Sequence, residues 1–356
     1  VHAVAQGRID GGRRRNGESG LTAVPQRSRL LAGALLLVVA VTGTPSTAEP
    51  DIVRVSINPY LSYAPLFIAQ REGFFAEQGL EVELVELRTS AMWLAPLIRG
   101  DLDVGAGPIT PGVLNAIARG AGIRIVAGKE LYDPEADCTF QGIVVSPDLA
   151  RSGGASATIL AGKRLSINRD SIYGYFLDSL LAQSGIDSGA VTVEDLPAAA
   201  ELEALRAGQI DAFNCGEPWL SRAVDSGDAV LRFSAREALP GFQPGIVVFG
   251  PSLLEERPDV GRRFLLGYLA GVEAYAQGKT DRNLGHLVGF QGLDRDLLAR
   301  TCWPSIDRYG RLNFEELNRF QRWLVSQGLL DRELGTHEYF KPGFLPAAAT
   351  AGASRR

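Results

Sequence analysis

The stretch APLFIAQREGFFAEQGLEVELVEL, residues 64–87, predicts a helix that leads directly into a strand. Pro65 suits the first turn of a helix, where its missing N–H is no loss, and Gly79 suits the position just after the helix. The last eight residues alternate between apolar and polar, as a half-buried strand does. Because IVRVSI (52–57) upstream also predicts a strand, the unit is strand, loop, helix, strand.

The loop inside this unit is a candidate ligand loop. In an open α/β sheet, the loop after a strand lies at the edge of the sheet where ligands bind. Here that loop is NPYLSY (58–63), which offers one amide and two phenols, those of Asn58, Tyr60 and Tyr63.

Residues 1–48 predict a leader that ends in a secretory signal peptide. Arg27 and Arg29 precede an apolar run (30–41) that is too short for a bilayer, which takes ~20 residues to cross. Ser46 and Ala48 then place small residues at the two positions that a signal peptidase reads, so we expect cleavage after Ala48. No cysteine closely follows the run, and we therefore expect a periplasmic protein without a lipid anchor.

Net charge disfavours some classes of partner. Residues 1–48 contain six arginines and two acidic residues, so their removal changes the formal charge from −5 to −9. An exported acidic protein is a poor partner for nucleic acid or for anionic lipid surfaces.

Cysteine and histidine are both scarce. Cys138, Cys215 and Cys302 allow at most one internal disulfide with a free thiol left over, and whether Cys138 pairs with Cys302 stays open. The sequence has no CxxC motif or Cys/His cluster, so no metal site and no cofactor are predicted. Outside the leader the histidines are His286 and His337, which works against histidine-based catalysis.

An internal repeat predicts the architecture. LIRGDLDV (97–104) and LRAGQIDA (205–212) share the pattern L-x-x-G-x-[L/I]-D-[V/A], which makes Asp103 and Asp211 equivalent. Each copy predicts a helix end, a glycine cap, and an aspartate that opens a short buried strand. The segments that follow the two copies are GAGPIT and FNCGEPW, and each leads into a predicted helix with a proline near its start. Two similar α/β units in one chain are the simplest interpretation.

Two β-rich runs bracket the second unit and predict strands that cross between lobes. They are QGIVVSP (141–147) and PGIVVFGP (244–251), after which the chain becomes helical. We therefore expect an α/β protein of two lobes with a central ligand cleft. Residues 49–140 and 252–346 would form the first lobe, residues 141–251 the second, and residues 347–356 a disordered tail.

Four motifs carry a family resemblance. APLFIAQREGFFAEQGLEVEL, RGDLDVGAG, RAGQIDAFNCGEPW and FQRWLVSQGLL together resemble the solute-binding proteins of ABC importers. The group is the nitrate, sulfonate and taurine type, which includes binders of thiamine pyrimidine precursors. The resemblance implies a type II periplasmic-binding-protein fold, a ligand clamped between lobes, and delivery to a membrane permease by a monomer. The cysteine-rich motif of the pyrimidine-synthesising enzymes in this superfamily is absent, since Cys138 stands alone in ADCTFQG.

Four loops that follow predicted strands supply the candidate ligand-binding residues. They are Asn58, Tyr60 and Tyr63 in the first loop, Thr110 in the second, Asn168, Ser171 and Tyr173 in the third, and Asn214, Glu217 and Trp219 in the fourth. Helix N-termini bind anions through free N–H groups and the helix dipole. An acidic protein could thus hold nitrate, a sulfonate or a carboxylate with few basic side chains, and these loops offer only Arg169.

Several of these residues have a purely structural alternative. Thr110 and Ser171 would serve equally as helix caps, and the tyrosines as core residues. Glu217 either benefits from a helix dipole or favours a ligand that carries a donor or a positive charge. Trp219 either stacks on the ligand or anchors its helix. Cys215 has no visible base beside it and is predicted to be a small buried hydrophobe.

The leading hypothesis is a binding protein without chemistry of its own. It would capture a small nitrogen- or sulfur-containing ligand, and no catalytic residue or metal ligand is predicted. A periplasmic ligand sensor is an alternative, and an exported enzyme is a further one. The sequence lacks a G-x-S-x-G elbow and an H-E-x-x-H motif, which speaks against the enzyme.

Overall fold

The computed structural model of the protein describes residues 49–58, 60–87, 90–154 and 156–346. The predicted leader and signal peptide (1–48) and the predicted disordered tail (347–356) lie outside the described residues.

The secondary structure alternates between strands and helices over most of the chain. The strands of the described residues are β1 (Asp51–Ile57), β2 (Leu80–Glu86), β3 (Val104–Pro108), β4 (Arg124–Gly128), β5 (Glu130–Leu131), β6 (Gln141–Val145), β7 (Arg164–Ser166), β8 (Thr192–Glu194), β9 (Ala212–Gly216), β10 (Val230–Ser234), β11 (Gly245–Phe249) and β12 (Ser305–Ile306). The α-helices are α1 (Ala64–Glu72), α2 (Phe74–Glu77), α3 (Leu94–Arg99), α4 (Pro111–Ala118), α5 (Pro147–Ser152), α6 (Ile172–Gln183), α7 (Ala198–Arg206), α8 (Trp219–Asp225), α9 (Ala235–Ala238), α10 (Pro258–Tyr275), α11 (Asp281–Leu287), α12 (Arg295–Arg300), α13 (Phe314–Ser326) and α14 (Thr336–Tyr339).

Equivalent strands follow the same order in the two five-stranded sheets. The first sheet runs β2-β1-β3-β11-β4, and the second runs β8-β7-β9-β6-β10. In the first, β1 is parallel to β2 and β3, while β11 is antiparallel to β3 and β4. In the second, β7 is parallel to β8 and β9, while β6 is antiparallel to β9 and β10. The two-unit prediction is therefore confirmed, and we call the elements around each sheet the first and the second lobe.

The repeated aspartates occupy equivalent positions. Asp103 precedes β3 and accepts a hydrogen bond through Oδ2 from the backbone N–H of Arg54 at 2.9 Å. Asp211 precedes β9 and accepts the same bond from the N–H of Arg164, also at 2.9 Å. Each carboxylate thus ties its own loop to a neighbouring strand, β1 or β7, because it satisfies a backbone donor of that strand.

Two parts of the predicted lobe division differ from the structure. The sequence prediction assigned residues 244–251 to the second lobe, whereas β11 hydrogen-bonds to β3 and β4 in the first sheet. It also assigned residues 252–346 to the first lobe, whereas α13 packs against α6 of the second lobe. There Trp323 Nε1 donates to Asp178 Oδ2 at 3.0 Å, and the rings of Phe320 and Tyr175 lie 5.4 Å apart. An amphipathic helix carries no information about which lobe covers its apolar face.

The opening helix is shorter than predicted. It breaks at Gly73, whose φ of 81° is left-handed and whose N–H caps α1, and the chain resumes as α2 before β2. The large helix α10 packs closely on α1, since a Cβ placed on Gly271 would lie 2.4 Å from the carbonyl oxygen of Pro65. No described helix combines the length and the apolar composition needed to cross a membrane.

Candidate ligand-binding site

A cavity of about 90 Å³ lies where loops of the two lobes meet. We call it the first cavity. It is lined by Asn58, Tyr60, Ser62, Tyr63, Pro108, Glu130, Tyr132, Phe140, Gln141, Ile172, Tyr173, Gly216, Glu217, Pro244 and Pro304. Several of these residues follow the carboxyl ends of β1, β7 and β9, which is where open α/β sheets bind ligands.

The first lobe supplies a fully bonded wall. The Tyr63 hydroxyl lies 2.7 Å from the carbonyl oxygen of Ala106 and 2.9 Å from Oδ1 of Asn58, and it has one proton to donate between these acceptors. Asn58 also donates through Nδ2 to the carbonyl of Leu87 at 2.7 Å. Asn58 and Tyr63 are 1% and 2% exposed, so both are fixed before any ligand arrives.

A buried ion pair lies beside this wall. Lys129 Nζ donates to Glu130 Oε2 at 2.5 Å and to Ser62 Oγ at 2.7 Å, and it lies 4.1 Å from the centre of the Tyr63 ring. Burial lowers the pKa of Lys129, and the neighbouring Glu130 opposes that shift. Glu130 lines the first cavity and Lys129 does not.

Glu217 joins the two lobes. Its Oε2 accepts from the backbone N–H of Ser221 at 3.0 Å, and its Oε1 accepts from the hydroxyl of Ser221 at 2.8 Å. Its Oε1 also accepts from the N–H of Cys302 at 3.1 Å. Burial raises the pKa of Glu217, although these hydrogen bonds oppose the shift.

Three tyrosines leave their hydroxyls available to the first cavity. Tyr60, Tyr132 and Tyr173 line it, and none forms a side-chain hydrogen bond within the described residues. Burial raises the pKa of each phenol above its usual value, so all three stay neutral at physiological pH. Each can therefore either donate or accept one hydrogen bond.

A second cavity of about 350 Å³ adjoins the first and shares Pro108, Ile172 and Tyr173 with it. Three predicted residues lie here instead of in the first cavity. Thr110 caps α4 by accepting from the N–H of Val113, and Ser171 caps α6 by accepting from the N–H of Tyr173. Asn168 donates through Nδ2 to Asp195 Oδ2 at 2.8 Å. Thr110 and Ser171 therefore act as helix caps, and both also line the second cavity.

Two predicted residues line neither cavity. Asn214 is buried and accepts through Oδ1 from Gln141 Nε2 at 2.9 Å, so it supports a lining residue from behind. The ring of Trp219 lies under the guanidinium of Arg222, 4.9 Å from it, and packs against the apolar cluster around α8. The helix-anchor alternative accounts for this position of Trp219.

Among the polar side chains of the first cavity, sequence reasoning missed four, namely Glu130, Tyr132, Gln141 and Ser62. The signal for Glu130 was the pair Lys129-Glu130 in a run that otherwise looks like a buried strand, because charges are rarely buried unless paired. The tripeptide Ser-Ile-Asn, which occurs at 56–58 and again at 166–168, is a separate signal that marks the carboxyl ends of the equivalent strands β1 and β7.

The cysteines and histidines lie away from a reactive arrangement. Cys138 and Cys302 form a disulfide, which answers the question that the sequence left open. Cys215 is buried among apolar residues, and burial raises the pKa of its thiol well above the usual value. His286 is bonded to Glu72 through Nε2 at 2.5 Å, outside both cavities. Among the described residues, no cluster of His, Cys, Asp or Glu could hold a metal ion.

Comparison with known proteins gives the family and the fold. The model of the NMT1-like family matches residues 46–275, which is more than half of the chain. A bicarbonate-binding protein, CmpA, of Synechococcus elongatus is 27% identical over 207 residues, 50% of this chain and 43% of that protein. A bicarbonate transport ATP-binding protein, CmpC, of Synechocystis is 30% identical over 209 residues, 52% of this chain and 30% of that protein. The chain thus spans less than half of the length of these relatives.

Solved structures share the fold at low identity. A ligand-binding component of an ABC-type import system from Staphylococcus aureus has a TM-score of 0.68 at 16% identity, covering 86% of this chain and 100% of that one. The alkanesulfonate-binding protein SsuA from Xanthomonas axonopodis has a TM-score of 0.67 at 20% identity, covering 83% and 100%. The desulfurization enzyme DSZB has a TM-score of 0.62 at 16% identity, covering 86% and 99%. These likenesses confirm the periplasmic-binding-protein fold.

Proposed function

The chain belongs to the NMT1-like family, and from this membership and the geometry of the first cavity we propose that it is the solute-binding protein of an ABC importer. It would capture a small ligand between its lobes in the periplasm and deliver it to a membrane permease. The observation that carries the proposal is the first cavity, which follows the carboxyl ends of equivalent strands in two lobes of the same topology.

The size of the first cavity favours a small ligand. At about 90 Å³ it is well below the ~300–1000 Å³ of sites for drug-sized molecules. A solute of only a few heavy atoms fits this space, in line with a small nitrogen- or sulfur-containing compound. One relative is named for bicarbonate, which is a ligand of that size.

The residues that line the first cavity also favour ligand binding without catalysis. The described lining of the first cavity holds neither cysteine nor histidine, and its Ser62 hydroxyl accepts a hydrogen bond from Lys129, which is paired with Glu130 and acts there as a donor. Cys215, which follows Asn214, is buried with a raised thiol pKa. The neighbour named as a desulfurization enzyme shares the fold alone.

Ligand-dependent closure tests the proposal. The crossing strands β6 and β11 begin at Gln141 and Gly245, so we expect a hinge near Gln141 and Pro244. The exported protein should show a higher melting temperature with its solute, because a ligand that binds only the folded state stabilises it. Small-angle scattering should then show a smaller radius of gyration.

A control separates closure from simple binding. Arg300→Ala alters an exposed residue outside both cavities, and it should leave ligand-induced stabilisation unchanged. If no small solute in a broad panel stabilises the protein, and none reduces its radius of gyration, the solute-binding function is refuted. Mass spectrometry of the exported protein checks the predicted start at Glu49 in the same preparation.

A further inference from the structure

The side chains that line the first cavity carry negative charge and no positive charge. Their ionisable acids are Glu130 and Glu217, and the described lining contains no Arg, Lys or His. Glu130 is 8% exposed and Glu217 is 4% exposed. An anion that entered this cavity would lose its hydration without gaining a cationic partner, which is costly for any buried charge.

Lys129 does not reverse this balance, because in the buried ion pair Glu130 reaches the first cavity and Lys129 does not. Lys129 contacts Glu130 Oε2, Ser62 and the Tyr63 ring, and it is absent from the lining. Glu130 Oε1 forms no hydrogen bond within the described residues. The carboxylate lies flat over Gly245, where an added Cβ would be 2.1 Å from Oε2. The ion pair therefore presents its negative end to the cavity.

Glu217 forms no salt bridge within the described residues, although its charge reaches Lys279, where it opposes the lowering of the Lys279 pKa by burial. The donors to its oxygens are the N–H and hydroxyl of Ser221 and the N–H of Cys302, all of which are neutral. Neutral donors stabilise a carboxylate but leave its charge in place. A positive ligand would thus find one carboxylate without a salt bridge and a second whose paired cation does not line the cavity.

Aromatic rings complete the surroundings. Tyr60, Tyr63, Tyr132, Tyr173 and Phe140 line the first cavity, and Tyr132 and Phe140 pack with ring centres 5.4 Å apart. Aromatic faces attract cations, and the phenol oxygens of three of these tyrosines are available to accept an N–H. Rings beside carboxylates are the usual surroundings of a bound organic cation.

One feature of the cavity favours an anion. Helix α6 begins at Ile172 beside it, and a helix N-terminus carries roughly half a positive charge. The hydroxyl of Ser171, however, already accepts from the N–H of Tyr173. This partial charge has one donor already bonded, and the same lining contains the carboxyl groups of Glu130 and Glu217.

Resting on the proposed solute-binding function, we propose that the first cavity selects a small cation with N–H donors, such as an amidinium or ammonium group, over an oxyanion. Glu130 and Glu217 would accept its N–H groups, and the tyrosine rings would cover its faces. The ligand would thus carry the opposite charge to the bicarbonate for which one relative is named.

Three planar molecules of nearly equal size isolate the effect of charge. Guanidinium, urea and nitrate each have four heavy atoms in a plane, and their charges are positive, neutral and negative. Titration calorimetry on the exported protein, with each probe up to about 10 mM and sodium chloride as the salt control, measures the order of affinity. We expect guanidinium to bind at least about tenfold more tightly than nitrate, with urea between them.

Substitution of Glu130 tests the assignment of the site. Glu130→Gln should weaken guanidinium binding at least about tenfold and change urea binding by less than about threefold. Because this change leaves Lys129 unpaired, the double variant Lys129→Met with Glu130→Gln provides the second measurement and should show the same selective loss. Glu316→Gln is the matched control: Glu316 is 8% exposed, is paired with Arg319, and lines neither cavity.

The outcomes separate the two proposals. Tighter binding of nitrate than of guanidinium, or an absence of guanidinium binding, overturns the inference about charge. If nitrate then closes the lobes, the solute-binding function stands without that inference. Equal loss of guanidinium and urea binding in the Glu130 variants also overturns it, since that pattern indicates a general change in structure.

Discussion

The two lobes use the same tripeptide, Ser-Ile-Asn, in opposite ways. In the first lobe Asn58 is 1% exposed and bonds to the carbonyl of Leu87, just after β2. In the second lobe Asn168 bonds to the side chain of Asp195, just after β8, in an exposed position. The topological positions are equivalent, but the burial is not.

The tyrosines that follow these tripeptides differ in the same direction. Tyr63 is fully buried with its hydroxyl between two acceptors, whereas Tyr173 is half-buried with its hydroxyl free within the described residues. At this pair of positions the first lobe therefore presents a hydroxyl that is bonded in advance, and the second presents one that is still available to a ligand. Preorganisation of the Tyr63 hydroxyl lowers the entropic cost of binding.

The largest effect should come from the disulfide between Cys138 and Cys302, which reinforces the attachment of Glu217 to the first lobe. It closes a separation of 164 residues, and removing such a bond lowers the free energy of unfolding by about 2–4 kcal/mol. Urea denaturation of the Cys138→Ala/Cys302→Ala variant measures this loss. Cys215→Ala in the second lobe is the control, and an equal loss there would contradict the comparison.

The second-largest effect should be a difference in stability between variants of the two repeated aspartates, Asp103 and Asp211. Asp103→Ala removes the acceptor for Arg54 N–H and also leaves Arg257 without its 2.9 Å partner, so we expect a loss of about 3 kcal/mol in unfolding free energy. Asp211→Ala removes an equivalent acceptor but a weaker and more exposed pair, at 3.6 Å, and should cost about 1 kcal/mol. The loss of unfolding free energy for Asp103→Asn, which keeps an acceptor oxygen, should fall between these two values. Equal losses at the two positions would refute the asymmetry.

The serines of the two tripeptides have different partners, and the partner of the second-lobe serine predicts a pH dependence of stability. Ser56 Oγ accepts from the backbone N–H of Ala106, whereas Ser166 Oγ donates to Glu201, whose pKa burial raises from 4.5 to about 7. The folded state then binds more protons than the unfolded state between these values. The free energy of unfolding should consequently fall as pH rises from about 4.5 to about 7, by on the order of 2 kcal/mol.

Comparison with Glu201→Gln isolates this contribution. Urea denaturation of both proteins at several pH values gives the difference curve. That difference should slope downward with rising pH across the stated window and be flat above it. A flat difference throughout would show that Glu201 titrates in the same way in both states.

The smallest effects on stability should come from removal of the hydroxyl groups of Tyr63 and Tyr173. Tyr63→Phe deprives the Ala106 carbonyl and Asn58 of a donor and should lower the free energy of unfolding by about 1–2 kcal/mol. Tyr173→Phe should change it by less than about 0.5 kcal/mol but weaken ligand binding by roughly two- to tenfold. Denaturation and calorimetry on both variants check this division. A destabilised Tyr173→Phe protein would show that its hydroxyl is already engaged.

Local patterns in the sequence determined the two-lobed α/β fold. The spacing in LIRGDLDV and LRAGQIDA fixes a glycine turn and an aspartate before a buried strand, and both copies fold that way. Such features depend on backbone geometry within a few residues, so they can be predicted from the sequence without knowledge of distant contacts. The loop that carries Asn58 and Tyr63 was predicted for the same reason.

Only the tertiary structure decided which side chains meet in the first cavity. Glu217 reaches the N–H of Cys302, 85 residues away, and Lys129 reaches Ser62, 67 residues away. Whether a buried charge is tolerated depends on partners that arrive from distant segments, and the sequence shows the charges without the partners. For the same reason the sequence placed Trp219 in a ligand loop, while the packing of α8 turned it under Arg222.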